Sequence, residues 1–238
     1  VTARAVIFDF YGTLAHWSDH EASNYASVLA AHGYRLPDDV ADAYFARYDG
    51  IEHVAHSVDE DTYERWVRLR LRDLTGACGV PPDQQDGVID ALRTSDRSDM
   101  VAYPEAASTL TTLREQGWAV GVCSNWGWDL DSFLDQVGLF DLVDVAVTSA
   151  RAGARKPHPS IYTHIVGRLG CDAGSAVFVG DSWDPDVVGP HRAGMSAVHV
   201  WRAGERSGPA PAGLELSAGM HRIGDLSELL ALLDAGIS

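Results

Sequence analysis

Val6-Ile7-Phe8-Asp9-Phe10-Tyr11-Gly12-Thr13-Leu14 runs three apolar residues straight into an aspartate, with a glycine and a threonine close behind. The run predicts a short buried strand that ends on a carboxylate and turns at once. A carboxylate at the C-terminal tip of a central strand lies where open α/β sheets bind ligands. An aspartate after a strand is more commonly a turn former or helix cap. Matching polar residues after three later strands set Asp9 apart.

Those later strands are predicted at 119–123, 143–147 and 176–180, with a further one at 197–201. Helices fall between them. One begins at Pro104, with Ala106, Ala107, Leu110 and Leu113 on one face and Gly117 as its stop. Leu130, Phe133, Leu134 and Val137 make a second face closed by Gly138, and Ile161, Ile165, Val166 and Leu169 a third ended by Gly170. Asp184-Pro185 predicts an N-cap followed by proline in a first turn, and a last helix is predicted over 225–233. Alternation of this kind implies an α/β fold with a doubly wound parallel sheet.

The alternation breaks between Ala15 and Asp96, where helical faces (Ala22, Tyr25, Ala26, Leu29; Tyr63, Trp66, Val67, Arg70, Leu74) occur without a convincing strand. This predicts an all-helical insert over 15–96, set over the strand tips of a core made of 1–14 and 97–238. Gly and Pro within 202–222 predict an irregular surface loop.

Composition narrows the function classes. Apolar residues are 46% of the 238, enough for a folded core. Acids outnumber bases 34 to 18, for a net charge of −16, which argues against nucleic acid or an anionic membrane as partner. A small phosphorylated substrate stays compatible, because local cations reverse the field inside one pocket. Cys78, Cys123 and Cys171 form neither a disulfide framework nor a paired metal motif, which suits a reducing cytoplasm. No run reaches the length of a membrane span, and the first residues do not resemble a signal peptide. Either a monomer or a homodimer is compatible with this pattern.

Four polar sites follow strand ends in chain order: Asp9 and Thr13; Ser124 and Asn125; Lys156; and Asp181 with Asp186. A doubly wound sheet brings such tips to one edge. Two carboxylates there repel unless a cation joins them, and Asp9 with Asp181 suits a hard ion bound through oxygen, as Mg²⁺ prefers. Magnesium and Lys156 would neutralise a phosphate, with Ser124 and backbone N–H groups near Thr13 on its remaining oxygens. Asp9 would then attack phosphorus.

With these residues in place the chain resembles the haloacid dehalogenase-like hydrolase superfamily essentially end to end. Asp9-Phe10-Tyr11-Gly12-Thr13 is similar to its first motif, Ser124 to its second, Lys156 to its third and Gly180-Asp181…Asp186 to its fourth. The helical insert resembles the family's first type of cap. The resemblance implies Asp9 as nucleophile, Asp181 and the Tyr11 carbonyl as metal ligands beside Asp9, and Asp186 supporting the metal's water shell or Lys156.

One position departs from the phosphatases of this family. They carry a second aspartate two residues after the nucleophile as general acid and base; here Tyr11 stands there. A phenol is a poor base at neutral pH. Tyrosine at this position resembles the 2-haloacid dehalogenases, as do Ser124-Asn125 and the Lys156…Tyr162 spacing. Those enzymes use no metal, however, and carry serine and asparagine in the fourth motif where this chain has Gly180-Asp181. A buried Asp181 facing Asp9 is costly without a cation. The fourth motif therefore weighs toward a metal-dependent phosphatase, with dehalogenase-like chemistry or a slow, ligand-binding relative as alternatives.

Other residues carry weaker signals, each set against a structural reading. Arg47, beside Tyr44 and Tyr48, could reach a substrate anion or sit in a surface ion pair. Trp17 and His16 fall at the first hinge, lining a pocket mouth, replacing the absent acid, or packing there. Trp126 and Trp128 could stack on a substrate ring or cover the sheet edge. His53 and His56 have a zinc-ligand spacing without a third ligand. Cys123 is read as buried filler.

Overall fold

The computed structural model describes residues 4–18, 25–45, 53–95, 100–202 and 216–237. The opening apolar run forms β1 (Ala5–Phe8), buried along its whole length. The chain continues through β2 (Ala15–Trp17), α1 (Tyr25–Ala31), α2 (Asp38–Phe45), α3 (Glu60–Ala77), α4 (Pro82–Ser95) and β3 (Met100–Ala102). Strands and helices then alternate: α5 (Ala106–Glu115), β4 (Ala119–Ser124), α6 (Leu130–Gln136), β5 (Val145–Thr148), α7 (Ser149–Ala152), α8 (Pro159–Leu169), β6 (Ala176–Gly180), α9 (Gly189–Arg192), β7 (Ser196–Val200), β8 (Met220–Ile223) and α10 (Leu229–Asp234).

The main sheet has the order β5-β4-β1-β6-β7-β8, and every pairing in it is parallel. The chain fills one side of β1 with β4 and β5, then crosses to lay β6, β7 and β8 on the other. That reversal puts a crevice at the C-terminal ends of β1, β4 and β6. Side chains alternate across the sheet. Val6, Phe8, Val122 and Val179 join a core with Leu110, Leu113, Leu134 and Leu229. Ile7, Cys123 and Phe178 face the other way, against Ile161, Tyr162 and Ile165 of α8. Because both faces are covered, these strands are continuous apolar runs rather than alternating ones.

Helices α1, α3 and α4 bury an apolar cluster of their own, including Leu29, Leu71, Leu74, Val88, Ile89 and Leu92. Asp59 caps α3, its side chain accepting a hydrogen bond from Thr62 N at 2.7 Å. The architecture is a doubly wound α/β core with a helical cap.

Three local expectations are corrected. The stretch from Ala15 is not helical throughout: β2 pairs antiparallel with β3, Trp17 opposite Met100, so a two-stranded ribbon ties together both ends of the helical insert. The stretch 202–222 is not all loop, because its end belongs to β8, parallel to β7. Asp184-Pro185 does not cap a helix; both lie inside a π-helical turn, Trp183–Val188, that Ser182 precedes.

Candidate active site

Asp9 is held one residue beyond β1, where its N–H still donates to Val179 O at 2.9 Å and so extends the parallel ladder. The chain then doubles back, with Leu14 N donating to Phe10 O at 2.9 Å. Gly12 makes this turn possible: its φ is +83°, and a side-chain carbon there would collide with the Asp181 carboxylate. The glycine thus lets the first loop approach the fourth.

Lys156 joins the loops. Its Nζ lies 2.7 Å from Asp9 Oδ1 and 2.6 Å from Asp186 Oδ1, and all three side chains are buried. Ser124 Oγ donates to the same Asp9 Oδ1 at 2.9 Å. Two donors on one oxygen fix the rotation of the carboxylate and leave its second oxygen a defined direction of approach. Asn125 positions the lysine loop by a reciprocal pair: Lys156 N donates to Asn125 Oδ1 at 2.7 Å and Asn125 Nδ2 donates to Lys156 O at 3.0 Å. Burial opposes the charge on Lys156, but Asp186 and Asp9 outweigh it and raise its pKa.

The carboxylates of Asp9, Asp181 and Asp186 each offer an oxygen within 4.8 Å of the others. Burial, then the charges of Asp9 and Asp186, push the Asp181 carboxyl up to about 7. Burial raises Asp186 too, against the pull of Lys156. A cluster this reluctant to carry its full negative charge, built only of oxygen donors, fits a hard divalent cation. Thr13 Oγ1 is buried beside this loop with no hydrogen-bond partner, which suits a site meant for added oxygen atoms.

Asp181 is braced from behind. His199 on β7 donates Nε2–H to Asp181 O at 2.9 Å. Arg222 Nε lies 3.2 Å from His199 Nδ1. A guanidinium only donates, so Nδ1 accepts and Nε2 carries the proton. Burial lowers the His199 pKa, in keeping with a neutral ring. Arg222 lies on the strand that the sequence pattern missed.

Arg202 was also missed, because it opens a Gly- and Pro-rich stretch. It clamps the turn after Asp9: Nη1 donates to Gly12 O at 2.8 Å, and Nη2 to Thr13 O at 3.1 Å and Glu105 Oε1 at 2.7 Å. Its guanidinium lies 3.6 Å from the Tyr103 ring centroid. Arg202→Met is expected to lower kcat roughly 10- to 100-fold with a smaller change in KM, and to cost about 2–4 kcal/mol of stability, because buried acceptors and Glu105 lose their donor. Steady-state kinetics and thermal melts check this. An unchanged kcat would show that the turn holds itself.

Of the remaining candidates, Tyr11 is 44% exposed, with its ring 5.8 Å from that of Trp17. Trp17, Trp126 and Tyr44 line a cleft of about 380 Å³ between the helical cap and the core, together with Asn125, Trp128 and Arg155. Asp9 lies beside this cleft rather than in its wall. Arg47 and Tyr48 lie outside the described residues. His16 Nδ1 is 2.8 Å from Trp17 O and its ring packs on Tyr103, so it serves the hinge ribbon. His53 and His56 stack on Trp66, and His53 Nδ1 is 3.0 Å from Ser57 Oγ, a packing arrangement rather than a zinc pair. Cys123 is fully buried and burial pushes its thiol up to about 12, so it is inert filler. Tyr162 donates to Pro185 O at 2.5 Å and so props the turn that carries Asp186.

Comparison with known proteins agrees with this geometry. The sequence profile of the haloacid dehalogenase-like hydrolases matches residues 3–194. A ribulose-1,5-bisphosphate 5-phosphatase of Halopiger xanaduensis is 29% identical over 204 residues, covering 82% of this chain and 84% of that protein. An (S)-2-haloacid dehalogenase 4A of Burkholderia cepacia is 28% identical over 238 residues, covering 99% of this chain and 96% of that protein. Among solved structures, a 2-haloacid dehalogenase from Pseudomonas syringae superposes with a TM-score of 0.68 at 23% identity, over 98% of this chain and 99% of that one, which speaks to the fold.

Proposed function

The chain belongs to the haloacid dehalogenase-like hydrolases, and from that footing we propose that it is a magnesium-dependent phosphatase of a small metabolite, working through an aspartyl-phosphate on Asp9. The observation that carries this is the meeting of Asp9, Asp181 and Asp186 around one point, with Lys156 paired to two of them. Asp9, Asp181, Asp186 and the Tyr11 carbonyl would hold the ion. Bound there, Mg²⁺ supplies positive charge to the phosphate oxygens and relieves the repulsion among the carboxylates.

The protein's own groups supply the rest. Ser124 and Lys156 aim the Asp9 carboxylate, and Lys156 adds charge on the side away from solvent. The hydroxyl of Thr13, which has no protein partner, would meet a phosphate oxygen. As the bond from Asp9 oxygen to phosphorus forms, the phosphorus–oxygen bond to the leaving alcohol breaks. The electron pair goes to that oxygen, which takes a proton from water. Water then attacks phosphorus, the bond to Asp9 breaks with its electrons returning to the carboxylate, and the water's proton neutralises the hydroxide left by the first step. The helical cap would choose the substrate and exclude bulk water. Hydrolysis of a panel of phosphate monoesters tests this: turnover with Mg²⁺ that EDTA abolishes is expected, and no turnover of any ester would overturn it.

Tyr11 sharpens the test. Tyr11→Asp restores a positioned carboxyl, so turnover of alkyl phosphates is expected to rise by about 10²-fold or more, and that of aryl phosphates far less, because a phenolate leaves without protonation. No rise in alkyl ester turnover would mean that another group already serves as acid.

Tyr11 and the similarity to a haloacid dehalogenase favour a second reading, in which Asp9 attacks carbon and displaces halide. Metal-independent chloride release from 2-chloropropionate would support it. Asp181 in place of the uncharged residue expected of such enzymes weighs against it.

A further inference from the structure

The cleft between cap and core has a composition that the chemistry of phosphate transfer does not call for. Trp17, Trp126 and Trp128 line it from the core side, and Tyr25, Tyr44 and Tyr63 from the cap side. All six are half-buried. They are neither sealed into a core nor left in bulk water, and they turn toward a shared space of about 380 Å³, within the range of small-ligand sites. The two walls already meet at one edge, where the rings of Tyr63 and Trp128 lie 6.0 Å apart. Trp17 and Trp126 stand 6.3 Å apart on the core wall, and Tyr25 and Tyr44 5.9 Å apart on the cap wall.

The cleft also reaches the sequence neighbours of the reacting groups. Asn125 lines it and follows Ser124, which bonds Asp9; Arg155 lines it and precedes Lys156. A substrate whose phosphate sits at Asp9 would therefore extend its organic part between the aromatic walls. A slot with rings on both sides favours a flat, electron-rich partner over a flexible aliphatic chain of the same size, because stacked and edge-to-face contacts add to simple apolar burial.

We propose that the substrate is a phosphate monoester whose alcohol part carries a planar aromatic ring, bound between the cap tyrosines and the core tryptophans. This rests on the phosphatase reading for its phosphate end but not for its ring end.

Calorimetry with phosphonates separates the two. Benzylphosphonate, cyclohexylmethylphosphonate and propylphosphonate share a non-hydrolysable head and differ in the ring. Benzylphosphonate is expected to bind at least about tenfold more tightly than either of the others. Tyr63→Leu and Trp126→Leu, each checked for a native melt, are expected to shrink that ratio severalfold. Turnover of benzyl, cyclohexylmethyl and propyl phosphate should follow the same order, and since all three release primary alcohols, leaving-group strength differs little among them. Equal affinity for the benzyl and cyclohexylmethyl compounds, or a ratio untouched by both variants, would overturn the proposal even if the enzyme hydrolyses phosphates. If no phosphate turned over while the benzyl preference persisted, the catalytic reading would fall and the ring site would stand.

Discussion

Asp9→Asn is expected to remove turnover by about 10⁴- to 10⁶-fold while leaving the fold intact. Asparagine keeps the shape of the side chain and an oxygen that can accept from Ser124, now 2.9 Å away. Lys156 keeps Asp186 as a partner at 2.6 Å. One negative charge leaves a close group of three carboxylates, so the melting temperature should hold or rise. The test is a pair of measurements on one sample, steady-state hydrolysis and a thermal melt. Activity that survives the change would remove Asp9 from the chemistry. Joint loss of activity and folding would reduce it to a structural residue.

Lys156→Met is expected to behave differently, losing both activity and stability. Methionine fills much of the same space but leaves Asp9 and Asp186 buried without their common cation. Breaking a buried pair by removing one partner costs about 3–5 kcal/mol, roughly a 6–20 °C fall in Tm for a chain of this size. Adding Asp186→Asn should restore part of the stability, because it removes a stranded charge, and none of the activity. Melts of the single and double variants check this. A double variant no more stable than Lys156→Met would show that charge balance is not what the lysine contributes.

Legibility in the sequence followed burial. Strands covered on both faces appear as unbroken apolar runs, so β1, β4 and β6 could be read directly, and with them the polar residues at their tips. Asp9, Ser124, Lys156 and Asp186 do meet, through hydrogen bonds across 30 to 147 residues of chain. Elements of mixed polarity were not legible. β8 carries His221 and Arg222 in a four-residue strand at the sheet edge, and β2 and β3 have three residues each; such short strands exist because a partner is present, which local pattern does not report. Arg202 and His199 escaped for a related reason. Their roles depend on carbonyl groups of distant loops, Gly12, Thr13 and Asp181, and a backbone carbonyl leaves no trace in sequence. The aromatic cleft was legible only in pieces, since Trp17, Trp126 and Tyr44 were singled out but only the fold sets them around one space.

Rapid chemical quench of the enzyme with a radiolabelled aryl phosphate, followed by peptide mapping, tests the central claim most directly. The account predicts label on Asp9 within the first turnover, dependent on Mg²⁺ and absent from Asp9→Asn. Hydrolysis that proceeds with no label on Asp9, or label that forms equally well in EDTA, would contradict it.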